Sequence, residues 1–300
     1  MKRLPLVFSG CLLGLAGAGN LVSDSMPLLS HFFSLTGLSL WIYFLISHLN
    51  HWRNSQQELK KPPLLSGMAT FPMAGMILST YLLRIIPVAP HLAQSIWWFS
   101  FLLDVFLISY FTVKFVFKNP RESATPSWTV LYVGIAVAAL TYPVIGMIGI
   151  AYVTLMFGFL LASILYPLIY RDLKSHPLPQ PLLGQEGIYC APFSLLLAAM
   201  VRVGGASLPT WSLVLMVSIS QACFVFVVTR LPKILRQGFQ LSFSALTFPM
   251  IITATSLKMA QEILQFPLFD SLVFVEGFLS LMVLGLVLVG YLYQLKINKI

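Results

Sequence analysis

The chain reads as an all-α integral membrane protein of ten spanning helices arranged as five hairpins. Three observations carry that reading. Hydrophobic side chains make up 58% of the 300 residues and charged ones only 9%, against roughly 25% charged in a soluble domain. The mean hydropathy of +0.88 is spread along the whole chain, leaving no room for a sizeable extramembrane domain. Finally, the basic residues fall into alternate loops, as the positive-inside rule requires of a correctly counted set of spans.

A helix needs roughly 17–25 mostly apolar residues to cross a bilayer, and ten stretches meet that need. The first, 4–22, contains "PLVFSGCLLGLAGAG" and imitates a signal peptide, yet fits a first spanning helix better. Segment 2 covers 28–49. Segment 3, 64–86, carries "ATFPMAGM", and segment 4, 92–117, carries "WWFSFLLDVF". Segments 5 and 6 cover 127–146 and 148–170. Segment 7, 188–203, is the shortest, followed by segment 8 at 211–229. Segment 9, 240–259, repeats the Thr-Phe-Pro-Met of segment 3 within "ALTFPMII", and segment 10 covers 269–295.

With a cytoplasmic N-terminus, the inner segments hold Lys2, Arg3, Arg53, Lys60, Lys61, Lys114, Lys118, Arg121, Arg171, Lys174, Arg230, Lys233, Arg236, Lys296 and Lys299. Arg84, Arg202 and Lys258 are left outside, so both termini are expected in the cytoplasm. The net charge of +9 is then mostly topology. Basic residues dispersed among short loops are not a nucleic-acid footprint, and no nucleic-acid partner is expected. The short outer connections pair the segments as hairpins 1–2, 3–4, 5–6, 7–8 and 9–10.

Prolines and small residues concentrate in the odd segments. A proline within a helix removes one backbone hydrogen bond and bends the chain. In lipid, freed backbone groups are tolerated only against protein or a water-filled cavity. Pro72, Pro192 and Pro249 are therefore expected kinks, and the odd helices an inner ring around a central pore. The same residues also suit ordinary helix packing through small side chains. No Asp or Glu lies in the odd segments, whereas Asp104 and Glu276 lie in segments 4 and 10. A route without carboxylates, with Arg84, Arg202 and Lys258 at its outer mouth, favours anions. Those three cations also suit snorkelling to the interface.

Enzyme chemistry is not expected. The odd segments offer no cluster of acids, histidines or nucleophiles, and no phosphate loop, dinucleotide fingerprint or serine elbow occurs. His48 and His51 lack a third ligand nearby, and Cys11, Cys190 and Cys223 sit in apolar runs. No metal and no cofactor are expected.

Five segments carry a family resemblance: "FSGCLLGLAGAG", "PPLLSGMATFPMAGMILSTYL", "PSWTVLYVGIAVAAL", "APFSLLLAAMV" and "LSFSALTFPMIITATSL". In their order and spacing the chain resembles the tellurite-resistance/dicarboxylate transporter family, which includes bacterial TehA proteins and plant guard-cell slow anion channels. It departs at Leu131, where relatives often have proline, and at "GQEGIYCAPF", which lacks a Pro-Thr pair. The resemblance implies a quasi-fivefold array of hairpins, with odd helices around the pore and protomers assembled as a homotrimer. It also implies that Phe248 plugs the pore, with Phe71, Phe8, Phe193, Thr70 and Thr247 as pore-lining candidates. The implied function is movement of small inorganic or organic anions through a phenylalanine-gated pore in the inner (plasma) membrane, in contact with its lipid. The alternative is an exporter of C4-dicarboxylates, sulfite or other oxyanions.

Overall fold

The computed structural model describes residues 3–118 and 123–297; Lys2, Arg121 and Lys299, used above to orient the chain, lie outside them. Helix accounts for all the regular structure among the described residues. Eight helices are long and apolar enough to cross a membrane. They are α2 (Pro27–Asn50), α3 (Pro62–Ile85), α4 (Pro90–Phe117), α6 (Ile148–Ser175), α7 (Gln180–Ser207), α8 (Thr210–Leu235), α9 (Leu241–Leu264) and α10 (Pro267–Lys296). A ninth, α5, counts if its two pieces, Ser127–Gly134 and Val137–Val144, form one span bent by 45°. The remaining apolar helix, α1 (Leu6–Leu21), is shorter than the 4–22 expected. It starts at Leu6, with Pro5 before it extended at φ −63° and ψ 147°.

Burial separates the helices into two layers. In α3, α7 and α9 the apolar window is 67%, 67% and 78% buried, whereas in α2, α4, α6, α8 and α10 it is only 28–33% buried. In α1 every residue from Ser9 to Asn20 except Asn20 itself is buried. The inner helices touch in a closed cycle: α1 packs on α3 and α9, α3 on α5, α5 on α7, and α7 on α9. Each even helix lies against the odd helix before it and also touches the next, with α10 reaching back to α1. The outer faces are apolar, with Phe32, Phe106, Met156, Val225, Phe274 and Val289 all exposed.

Lipid tails are as apolar as leucine, so helix association here depends on close packing and interhelical hydrogen bonds. The α1–α9 contact supplies both. A Cβ on Gly10 would lie 2.9 Å from the Ser244 carbonyl oxygen, and one on Gly14 2.7 Å from Thr247 Oγ1. The Thr247 hydroxyl donates to the Gly10 carbonyl at 2.9 Å.

Pro72 and Pro192 sit in the first turn of an α-helical stretch. Pro72 is the third residue of Thr70–Ile85, just beyond the short helix Pro62–Gly67. Pro192 is the second of Ala191–Gly204, beyond a 3-10 stretch at Gln180–Cys190. In both, the residue before proline makes a tighter bond to the carbonyl that proline cannot reach: Phe71 N–H to Met68 O at 2.9 Å, and Ala191 N–H to Ile188 O. Pro249 lies inside Ser244–Leu264, where its carbonyl accepts from Thr253 Oγ1 at 2.9 Å. The one break sharper than 40° among the described spans falls instead between Gly134 and Val137, a stretch without proline. There the Met73 thioether lies close to Gly134, where a Cβ would be 2.7 Å from its sulfur.

Helix α7 also begins earlier than the 188–203 expected. Its 3-10 stretch carries Gly184 and Gly187 tight against α9, too close for any side chain. Glycine, Gln185 and Glu186 break the apolar pattern there, so hydropathy alone ends the span too soon.

Replacing Gly14 with alanine should destabilise the detergent-solubilised protein by about 1–3 kcal/mol, because Thr247 must move. Gly285→Ala, where nothing lies within 4 Å of the new methyl, should be neutral or stabilising by roughly 0.4–1 kcal/mol. Thermal unfolding of the two variants side by side checks this.

Candidate functional site

Two cavities open among the inner helices. The first, about 80 Å³, lies at the N-terminal ends of α1, α3, α5, α7 and α9, and each contributes lining residues. Its lining includes no charged side chain. The second, about 690 Å³, lies at the C-terminal ends of the same helices. Among the described residues Phe248 alone lines both.

The Phe248 residue is 4% exposed. The ring faces α1 at Gly17, where a Cβ would lie 3.3 and 3.4 Å from its Cδ2 and Cε2. Among the described residues it has no aromatic partner. The other phenylalanines expected at the pore behave differently, and none of them lines either cavity. Phe71 stacks on Trp41 of α2 at 4.8 Å and 2°, and on Phe44 at 5.3 Å. The Trp41 indole also donates to the Phe71 carbonyl at 3.0 Å, so this residue belongs to the α2–α3 packing. Phe8 meets Tyr291 of α10 edge-on at 5.0 Å. Phe193 packs against Tyr166 of α6 at 4.8 Å.

Of the two threonines, Thr70 lines the smaller cavity, while Thr247 lines neither and instead ties α9 to α1. Pro192 and Pro249 line the smaller cavity; Pro72 lines neither.

The larger cavity gathers the three cations Arg84, Arg202 and Lys258. Arg84 donates to Ser30 Oγ at 3.0 Å and lies 5.4 Å over the Tyr81 ring. Lys258 pairs with Asp24 at 2.6 Å and also donates to the Leu21 carbonyl at 3.4 Å. Arg202 is exposed, and no hydrogen bond or ion pair engages it among the described residues.

The expectation of a route free of carboxylates is corrected here. Asp24 and Glu262 both line the larger cavity. Glu262 enters because α9 continues to Leu264, beyond the 240–259 read from hydropathy. Asp24 comes from the α1–α2 turn, and its signal in sequence was a lone acid in an outer loop of only a few residues. The hydrogen bond from Lys258, helped by the Lys258 and Arg84 charges, holds its carboxyl below the ordinary carboxylate range. The pair therefore survives above that range and is lost only as pH falls through the lowered value. At 75% side-chain exposure for Asp24 it adds little to stability.

The intramembrane acids stay away from both cavities. Asp104 is wholly buried on the inward stripe of α4 with Trp97, Ser100, Leu107 and Phe111, and Glu276 is 3% exposed in α10. His48 Nδ1 meets Ser55 Oγ at 2.8 Å and His51 Nδ1 meets the Ser47 carbonyl at 3.0 Å.

A family profile described as a voltage-dependent anion channel (SLAC1) matches residues 3–292, from before α1 to within α10. No curated protein matches the chain.

Since a methyl on Gly17 would press on both Phe248 and Ile251, Gly17→Ala should destabilise the protein by about 1 kcal/mol or more. In a Phe248→Ala background the cost should fall, because one of the two obstructing groups is gone. Thermal unfolding of the four proteins of this cycle measures the coupling.

Proposed function

The chain belongs to the voltage-dependent anion channel (SLAC1) family, and on that footing we propose that it conducts small anions along the axis enclosed by α1, α3, α5, α7 and α9, with the Phe248 ring as its closed gate. Anion transport across a membrane follows from the family. The gate rests on one observation above the rest: Phe248 is the residue common to the two cavities. An aromatic ring in a narrow apolar lumen excludes a hydrated ion, and a dry constriction raises the cost of bringing a charge through it.

The finer architecture is part of the same proposal. Ten spans, with α1 and bent α5 included, form five hairpins in quasi-fivefold array. The contact cycle and the two-layer burial support it. Both termini lie in the cytoplasm, supported by the 15-to-3 division of Lys and Arg. The smaller cavity then faces the cytoplasm and the cation-bearing one faces out. The protein sits in the inner (plasma) membrane as a homotrimer with a pore in each protomer.

The outer cavity holds three cations against two carboxylates, a net positive field that raises the local anion concentration. Thr70, Pro192 and Pro249 shape the inner approach. Phe71, Phe8, Phe193 and Thr247 hold the helices that surround the route.

Phe248→Ala should give a large anion current in patch-clamp recordings where the parent is nearly silent. An unchanged conductance in a well-expressed variant removes Phe248 from the role. Turnover-limited flux without resolvable channel currents, saturating with dicarboxylate or sulfite, would point to the exporter instead. Asp24→Asn should free Lys258 and raise the open-pore current by about 1.5- to 3-fold at low ionic strength. That gain should vanish in concentrated salt, which a conductance series in chloride checks.

A further inference from the structure

Two threonines flank the Phe248-Pro249 pair in "LTFPMIIT", one just before it and one about a helical turn beyond. They reach different helices. Thr247 donates to the Gly10 carbonyl of α1 at 2.9 Å. Thr253 turns to α7, where its Oγ1 lies 2.9 Å from Ser194 Oγ. Helix α9 is thus tied to a neighbour on each side of the ring.

The α7 contact belongs to a wider hydroxyl cluster. Ser194 Oγ also lies 2.7 Å from Ser220 Oγ of α8 and 2.5 Å from the Cys190 carbonyl. Thr253 Oγ1 in turn lies 2.9 Å from the carbonyl of Pro249, the residue after the ring. Ser194, Ser220 and Thr253 are wholly buried, and none of them lines either cavity. The cluster therefore stands behind the wall of the route and touches no passing ion.

Counting protons shows what the cluster can do. Four contacts join three hydroxyls and two carbonyls, and each hydroxyl carries a single proton. Ser220 has only Ser194 to give its proton to among the described residues. Ser194 and Thr253 are left with two protons for three contacts. Two bare lone pairs facing each other repel, so the contact between them keeps a proton, and one of the two carbonyls goes without. When Ser194 donates to Cys190 O, Thr253 donates to Ser194 and the Pro249 carbonyl loses its side-chain bond. When Thr253 donates to Pro249 O, Ser194 donates to Thr253. A threonine bonded to the carbonyl four residues back bends its helix slightly, so this choice alters α9 beside Phe248.

We propose that Thr253, with Ser194 and Ser220 behind it, is a positioning residue for Phe248. The shared hydroxyl contact sets the bend of α9 at Pro249, and with it the seat of the ring against Gly17. The consequence for conduction rests on the gate reading above, whereas the placement of the ring does not.

The test puts para-fluorophenylalanine at position 248 of the purified full chain and reads its fluorine resonance by NMR. Thr253→Val and Ser194→Ala should each shift or broaden that resonance, and Thr253→Ser should restore it. Thr255→Val removes a bond of the same kind, to the Ile251 carbonyl, from a residue with no partner on α7 among the described residues, and should leave the resonance in place. In patch-clamp recordings Thr253→Val should raise the resting anion leak about three- to tenfold, the scale of one interhelical hydrogen bond in a membrane. It should add nothing in a Phe248→Ala background. A resonance unmoved by Thr253→Val and Ser194→Ala, or moved equally by Thr255→Val, refutes the proposal whatever the currents show. A silent Phe248→Ala beside a resonance that follows Thr253 and Ser194 would instead sink the gate and uphold the positioning role.

Discussion

The close approach of α9 to α1 is the constraint on which the rest of the molecule depends. In a bilayer no hydrophobic force draws two apolar helices together, so contact must come from complementary surfaces. Gly10, Gly14 and Gly17 form one face of α1, and Ser244, Thr247, Phe248 and Ile251 fill it from α9. The Thr247 hydroxyl closes the seam on the Gly10 carbonyl. Because α1 and α9 are the first and last members of the inner cycle, this seam is where the cycle shuts. It also fixes the position of Phe248, whose ring lies over Gly17.

The two cavities differ in electrostatic character. On the N-terminal side the lining is uncharged, and most of its hydroxyls are consumed in hydrogen bonds at the starts of the inner helices. On the C-terminal side five charged residues share a much larger space, and one pair, Lys258 with Asp24, cancels. Arg84 is held against Ser30, which leaves Arg202 as a cation without a partner among the described residues. Charge is thus concentrated where water can screen it, and the constriction is left to neutral groups. That arrangement avoids both the desolvation cost of a buried cation and the trap that such a cation would set for a passing anion.

Hydropathy and proline placement made the two-layer helical plan legible from the residues alone, and the odd–even contrast appears directly as burial. What escaped depends on partners distant in sequence. Thr-Phe-Pro-Met occurs in both α3 and α9, yet Phe71 turns to Trp41 and Phe44, because α2 offers them an aromatic surface. Nothing local to the motif distinguishes it from Phe248. The start of α7 was hidden because glycines that fit it against α9 read as loop. The sharp bend of α5 was missed because no proline marks it, while the Met73 side chain that lies against Gly134 there belongs to another helix. Glu262 was not expected at the larger cavity because the end of α9 was placed five residues early.

The two repeated motifs also differ in what displacing the ring would cost. Phe71 would lose a near-parallel stack on an indole and break up a packed cluster whose tryptophan bonds its own carbonyl. Phe248 has no aromatic partner among the described residues and packs in the buried core beside Gly17, so its departure forfeits no ring stack, only dispersion contacts worth on the order of 0.1–0.2 kcal/mol per atom pair. Space for the displaced ring is unequal on its two sides, about 80 Å³ against about 690 Å³. A gate at this position therefore opens most cheaply toward the charged cavity.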